Sequence, residues 1–438
     1  QQFIVTFLGN KSKQKNNHVE KVIIFVVRCS SLINRFRYKV YETVPQNASH
    51  ADLLWQLSQI SEEFDFWSLS KLPNMPAKVM VPPKLQEDFE AILTENGLGY
   101  SIINHDVSET IRRERVENLF AQPLTPAVGF SKFYRHAQIN AYLDELEEKY
   151  PERVHVSVVG ESFEKRTLKT ITISNGDGRT DKKVIFVDAG IHAREWIAPA
   201  TALYIIHQLV ENFDQNEYLL KNIDWIILPV VNPDGYEYTH TNSRLWRKTR
   251  KPNSRCVGTD GNRNFGFHWG ESGASNNECD ETFQGSTAFS EPETKIVRDI
   301  QLRLGDQCKF YLTLHSYGNY LLYPWGFTSE LPDNWRDLDE VAMAGFNAIK
   351  SFSGKKYSVG SSTNVLYASA GGSDDYAMGA ANIPVAITME LPGGGSGFDP
   401  SPSQIKPMVT ESWEGIRAMA QKIDEKYIDK KRRKTFNF

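Results

Sequence analysis

The chain has 438 residues, 40% of them hydrophobic and 24% charged, and a formal net charge of −4. These are ordinary globular proportions, with room for one large core and a smaller one beside it. The balance of charge excludes the basic footprint of a nucleic-acid binder, and no stretch reaches the roughly 20 apolar residues that span a bilayer.

Residues 1–37 carry little pattern and read as an N-terminal extension. Their apolar run, 22–27, stops at Arg28 and is short even for a signal-peptide core. Because the chain opens on Gln1 rather than Met, a secretion signal upstream is expected. Two Asn-x-Ser/Thr triplets, at Asn10 and Asn47, fit a secreted protein, although such triplets often arise by chance.

Residues 38–108 read as a small α+β unit. Strands are predicted at 39–44, 66–69, 77–81 and 100–104. One helix follows Ser49 from 50 to 60, and a second covers 85–96 before Gly97. The order β-α-β-β-α-β is that of a ferredoxin-like sandwich. Next, Arg112, Arg113 and Arg115 crowd into 109–121, and Pro123 and Pro126 follow. An Arg-rich stretch before Pro punctuation predicts an exposed linker open to cleavage. Composition alone favours an ordinary solvated helix face, and it is the position between two domains that raises the cleavage-site reading.

From 122 to the C-terminus strand and helix alternate. Strands are expected at 154–159, 169–173, 184–188, 225–231, 310–314 and 384–390. Helices are expected at 137–150, 198–213, 291–304, 335–352 and 403–425. Near-continuous apolar strands such as 184–187 predict an α/β fold, a mixed central sheet flanked by helices on both faces. Ligands bind such sheets where strands end. The basic run 430–434 reads as a solvated tail.

Of four cysteines, Cys256 and Cys279 flank a loop rich in Gly, Ser and Asn, where a covalent staple is useful. In an oxidising environment a disulfide there contributes about 3 kcal/mol by restricting the unfolded chain. Cys308 leads into the apolar run 310–314 and is expected to be a buried free thiol.

His192 and Glu195, three residues apart, follow the strand at 184–188, and both are good zinc ligands. The spacing proves little, since ten His and an acidic fraction of 54/438 give about 1.2 such matches by chance. A second match, His268 and Glu271, lies in the loop between Cys256 and Cys279. Position separates them. His192 sits at a strand's C-terminal end, and His315 ends the strand at 310–314 in the same way, offering a third ligand.

The segment His192-Ala-Arg-Glu195-Trp-Ile is similar to the zinc motif of the metallocarboxypeptidase A/B family. Further motifs stand in that family's order: Asn232-Pro-Asp-Gly-Tyr236, Arg244-Leu-Trp-Arg247-Lys, Asp260-Gly-Asn262-Arg263-Asn, Phe289-Ser-Glu-Pro-Glu293, His315-Ser-Tyr317, Tyr367 and Glu390-Leu. The resemblance covers about 122–425, and the preceding unit resembles the family's prodomain. It implies a zymogen: an inhibitory prodomain over 38–108, an activation linker over 109–121 cut by a trypsin-like protease near Arg112 to Arg115, and a catalytic domain over 122–438.

The same resemblance implies one zinc held by His192, Glu195 and His315, with a fourth position open for chemistry. Glu390 matches the general base and Arg247 the cation that stabilises an oxyanion. Asn262 and Arg263 match a clamp for the substrate's free carboxylate, with Tyr367 closing over it, Arg194 beside it, and Ser316 and Tyr317 in the adjoining motif. Asp260 matches the acid that orients His192. Asp374 falls where B-type enzymes carry an acid and A-type enzymes an apolar residue, which implies release of C-terminal Lys or Arg. The alternative is that Asp374 merely caps a helix, a role that Asp375 could fill instead. The chain departs from vertebrate digestive members after Glu390-Leu, where Pro392 stands in place of a basic residue, and at Ser362.

The expected product is thus a secreted, monomeric zinc metallocarboxypeptidase of a digestive lumen, acting on peptide and protein C-termini and open to protein inhibitors. An A-type preference is the nearest alternative. A non-catalytic peptide binder would have lost a ligand or the base, and both are present. An esterase or amidase would have no use for the Asn262–Arg263 pair.

Overall fold

The computed structural model describes residues 37–60, 63–70, 72–121 and 129–428. Asn10, the run at 22–27, Cys29, Pro123, Pro126 and the basic run at 430–434 lie outside them.

The first unit is a four-stranded antiparallel sheet in the order β2-β3-β1-β4, made of β1 (Lys39–Thr43), β2 (Asp65–Ser68), β3 (Ala77–Val81) and β4 (Tyr100–Asn104). In β3 the alternation is plain: Ala77, Val79 and Val81 are buried while Lys78 and Met80 are not, the period-2 pattern of a strand with two different faces. One face packs under α1 (Ala48–Ile60) and α2 (Gln86–Glu95), with Tyr41, Val79 and Val81 against Leu54, Leu57, Phe89 and Leu93. The other face carries Val40 and Trp67, and these cluster with Phe398 of the large unit. The small unit therefore has two apolar faces and closes the second on its neighbour.

Residues 109–120 are helical rather than extended, although much of the segment is exposed. They belong to α3 (Val107–Phe120), whose start is capped by Asp106 accepting from the backbone N–H of Ser108 and Glu109. Arg112 and Arg113 face solvent, as the helix-face alternative requires, but Glu114 on the inner side is buried. Arg115 is half-buried, so the Arg-rich composition does not describe one exposed face alone.

The large unit is built on an eight-stranded mixed sheet in the order β11-β10-β12-β9-β7-β8-β6-β5. Its strands are β5 (Val154–Glu161), β6 (Thr167–Ile173), β7 (Lys183–Ala189), β8 (Ile223–Leu228), β9 (Cys308–Ser316), β10 (Tyr320–Tyr323), β11 (Ser358–Ser361) and β12 (Ala386–Leu391). All but the first residue of β7 are buried, as a strand covered on both faces demands. Ile185 and Val187 pack toward α4 (His136–Lys149), α5 (Ile197–Val210), α8 (Trp335–Ser353) and α10 (Pro402–Ile423). Val184 and Phe186 pack the opposite way, toward α7 (Pro292–Leu304) and α9 (Ser373–Gly379).

The strand expected at 225–231 is displaced to Ile223–Leu228, because the chain turns at Asn232 into α6 (Pro233–Thr241). Asn232 caps that helix by accepting from the N–H of Gly235. Two short strands were not anticipated. β10 and β11 have four residues each and owe their register to pairing, β10 with β12 and β11 with β10.

Candidate functional site

Three adjacent parallel strands bring the site together. β9 pairs with β7 through Ala189↔Leu314 and with β12 through His315↔Glu390, so the C-terminal ends of all three lie at one sheet edge. After β7 the chain turns at Gly190, which has φ +69°, a conformation that favours glycine; a Cβ there would meet Pro199 Cγ at 3.0 Å. That turn swings His192 and Glu195 back over the strand ends before α5 begins.

His192, Glu195 and His315 are all buried, and one ligand atom from each lies within 4.8 Å of the others. The two Nδ1 atoms face each other at 3.1 Å, with Glu195 Oε1 at 2.8 Å from His192 Nδ1 and Oε2 at 3.3 Å from His315 Nδ1. Each ring turns its other nitrogen outward, His192 Nε2 to Asp260 Oδ1 at 3.0 Å and His315 Nε2 to Thr313 Oγ1 at 3.2 Å. Two imidazole nitrogens and a carboxylate converging on one point, each imidazole steadied from behind, match the donor set and support of a zinc ion. Burial pushes Glu195 up, yet His192 and His315 hold it below the usual carboxylate range.

Asp260 joins the ligands to Arg247. Its Oδ1 faces His192 and accepts from the N–H of Asn262 at 2.9 Å, and its Oδ2 accepts from Arg247 Nη2 at 2.9 Å. Against the cost of burial, Arg247 and His192 hold Asp260 well below its ordinary value, and Asp260 and Glu195 hold Arg247 above its own. Arg247 is thus a fixed cation beside the ligand cluster. Glu390, on β12, also lines the site; burial pushes its carboxyl up to about 7, against the pull of His315 and Arg247.

The cleft over these groups has a volume of about 650 Å³. Arg194, Asn262, Arg263, Ser316, Tyr317, Tyr367 and Asp374 all line it, and Asp260 stands behind the wall. Asn262 Oδ1 accepts from Ser373 N–H, and Arg263 donates to the carbonyls of Gly273 and Asn262, which fixes its guanidinium. Asp374 and Asp375, adjacent in sequence, separate clearly. Asp375 accepts from the backbone N–H of Gly326 and Phe327 and serves the loop; Asp374 faces the cleft and accepts from Thr388 Oγ1 at 3.0 Å.

The small unit fills the other side of the cleft. Arg194 Nη1 donates to Asp65 Oδ2 at 2.9 Å. The Tyr367 hydroxyl donates to the carbonyls of Ala51 and Ser70, both at 3.1 Å, and its ring stacks on Trp55 at 4.1 Å. Two residues expected to meet substrate are therefore engaged by the first unit.

His268 and Glu271 do pair, at 2.8 Å, but with no third ligand among the described residues; His268 stacks on Phe327 instead. The Cys256–Cys279 disulfide forms, and Cys308 is free and buried. Sequence reasoning missed Asp65, Trp55 and Glu281 in the cleft, and gave Arg244 no role. Asp65 and Trp55 act across a domain boundary, and Glu281 is one of three acids crowded at 278–281 in a polar loop, so none carries a local signal that singles it out. Arg244 stands inside a quoted motif, which was the available clue.

Residues 139–415 match the family model described as zinc carboxypeptidase, and 41–114 match that of the carboxypeptidase activation peptide. The chain is 45% identical over 304 residues to carboxypeptidase B of Astacus astacus, covering 68% of this chain and all of that one. Its fold is similar to the crystal structure of carboxypeptidase A from Helicoverpa armigera, with TM-score 0.84, 35% identity, and coverage of 90% and 99% of the two chains. It is also similar to bovine thrombin-activatable fibrinolysis inhibitor in complex with tick carboxypeptidase inhibitor, with TM-score 0.64, 34% identity, and coverage of 68% and 99%.

Proposed function

The chain belongs to the zinc carboxypeptidase family and carries that family's activation peptide, and from this premise we propose that its mature enzyme releases C-terminal lysine or arginine. The observation that carries this reading is Asp374, a carboxylate only 6% exposed that lines the cleft and has Thr388 as its side-chain partner. A buried acid pairs with an incoming cation and leaves an apolar side chain facing an uncompensated charge. The Astacus astacus relative is named carboxypeptidase B and the Helicoverpa armigera structure carboxypeptidase A, so the names alone do not choose between the two preferences.

His192, Glu195 and His315 would hold zinc, with Asp260 fixing the ring of His192. Zinc bound there supplies Lewis acidity toward the scissile carbonyl and toward water. Glu390 accepts the proton of the attacking water and delivers it to the leaving amine, a role suited to a carboxyl whose affinity for protons is raised by burial. Arg247, held by Asp260, stabilises negative charge developing on the carbonyl oxygen. Asn262 and Arg263 bind the substrate's terminal carboxylate, Tyr367 closes over it, and Arg194, Ser316 and Tyr317 meet the backbone upstream.

In the zymogen the prodomain, 38–108, occupies that upstream side through Asp65 and holds Tyr367 through Ala51 and Ser70. We place activation at Arg112 to Arg115 in the 109–121 segment by a trypsin-like protease, freeing a catalytic domain over 122–438. Secretion into a digestive lumen, a monomeric state, and inhibition by small proteins such as the one bound to the bovine neighbour complete this reading. Hydrolysis of matched peptides ending in Lys, Arg, Phe and Leu after limited trypsin treatment tests it. Faster cleavage of Phe or Leu than of Lys or Arg overturns the B-type assignment.

A further inference from the structure

Arg194 is 3% exposed, and its Nε has no hydrogen-bond partner. Its guanidinium lies 4.4 Å over the ring of Phe398, and its carboxylate partner is Asp65, with a longer contact to the carbonyl of Leu245 at 3.4 Å. Asp65 belongs to the activation peptide and leaves with it. Its departure opens that side of the cleft to water and leaves the guanidinium without the carboxylate that fixed its position.

A replacement lies in the same cleft. Glu281 lines it, on the segment just after Cys279, and the disulfide to Cys256 anchors that segment. Its Oε2 is buried with no hydrogen-bond partner. Among the charges acting on it, Arg194 is the strongest attractive one and Asp65 the strongest repulsive one; Arg247 and Lys248 attract it less. One cation thus stands between two carboxylates. Asp65 holds it in the zymogen, while Glu281 keeps an oxygen unused. With Asp65 gone, the repulsion it exerts on Glu281 is gone too, and the free oxygen of Glu281 is the acceptor available to Arg194 in the same cleft.

We propose that Glu281 is a positioning residue that takes over Arg194 from Asp65 when the prodomain leaves, holding Arg194 in place to bind the substrate backbone upstream of the scissile bond. This rests on the reading of Arg194 as a substrate-binding residue. Glu281 touches neither metal ligands nor the scissile bond in this scheme, so its effect falls on KM rather than kcat. It also competes with Asp65 for one cation, so it speeds release of the cleaved prodomain.

The test uses the full chain activated by limited trypsin treatment, with a blocked tripeptide ending in Lys. Arg194→Met and Glu281→Gln are each expected to raise KM several-fold, about three- to tenfold, with kcat within about twofold. The double variant is expected to match Arg194→Met alone, because both changes remove one interaction. Glu281→Asp is expected to recover part of the loss. In Glu281→Gln the lag between cleavage of the chain on a gel and appearance of activity lengthens. If Arg194→Met leaves KM unchanged, the role of Arg194 fails and this inference with it. If Arg194→Met raises KM but Glu281→Gln does not, or the two add fully, the inference fails alone. An unchanged or shortened lag overturns the exchange with Asp65.

Discussion

Glu114 and Arg244, residues each 2% exposed and 130 positions apart, form a bidentate ion pair, 2.6 Å from Nε to Oε2 and 2.9 Å from Nη2 to Oε1. Arg244 also donates to the carbonyls of Arg194 and Phe398 and stacks on Trp196, so this pair pins α3 to the wall of the cleft. Asn118 adds a second anchor, pairing with both the N–H and the carbonyl of Phe133. The exposed arginines at 112 and 113 therefore sit on a helix fastened beside them. A protease must loosen that helix to cut it, since cleavage needs an extended segment.

Glu114→Ala leaves Arg244 buried without its carboxylate. The zymogen is expected to lose about 3–5 kcal/mol, read from denaturant unfolding of the full chain. Trypsin activation of this variant is expected to be faster than that of the parent chain. Replacing both partners by apolar residues of similar size is expected to restore most of the loss.

Asp65→Asn removes the charge that holds Arg194 while keeping the side chain's shape. Hydrolysis by the uncleaved chain is expected to rise by about tenfold, the scale of a partly buried charged hydrogen bond of about 1.5 kcal/mol. Comparison of initial rates before trypsin treatment checks this.

Glu390→Gln keeps the volume at the base position and leaves the three ligands untouched. Metal content is expected to remain near one zinc per chain, while kcat falls by orders of magnitude. Near-normal turnover in this variant would refute Glu390 as the base. Chelation of the parent enzyme is expected to abolish turnover, and added zinc to restore it.

Asp374→Ile is expected to move preference from Lys and Arg toward aliphatic or aromatic C-termini by at least about a hundredfold in the ratio of kcat/KM, because it removes the buried charge that rewards a cation and rejects a methylene chain. Survival of the Lys/Arg preference would remove Asp374 as the selector.

Glu293 offers a stability test away from the metal. It is buried on α7, accepts from Phe163 N–H through Oε1, and leaves Oε2 without a partner. Burial pushes its carboxyl up to about 7 from 4.5. The folded state then holds a proton that the unfolded state releases, so the contribution is present below about pH 4.5 and is lost as pH rises to 7. Glu293→Gln, neutral at all pH, is expected to be more stable than the parent by about 1–3 kcal/mol at pH 8 and to show no such gain at pH 4. Unfolding curves at the two pH values decide it.

What the sequence determined by itself was periodic or contiguous. The unbroken apolar run at 184–187 states that a strand is covered on both faces, and it placed one of the strands that carry the site. His192 and Glu195 were legible as candidate ligands because they stand together in one short segment. The tertiary structure decided the rest. Whether His192 or His268 joined a third ligand depended on β7 and β9 lying side by side, where Ala189 pairs with Leu314 across 125 positions of chain. Which of Asp374 and Asp375 entered the cleft was set by backbone N–H groups at Gly326 and Phe327. The Arg-rich helix could be read as a linker because its one decisive residue, Glu114, looks like any other acid until Arg244 is beside it. Charge pairing acts through space and desolvation, and neither is a property of neighbours in sequence.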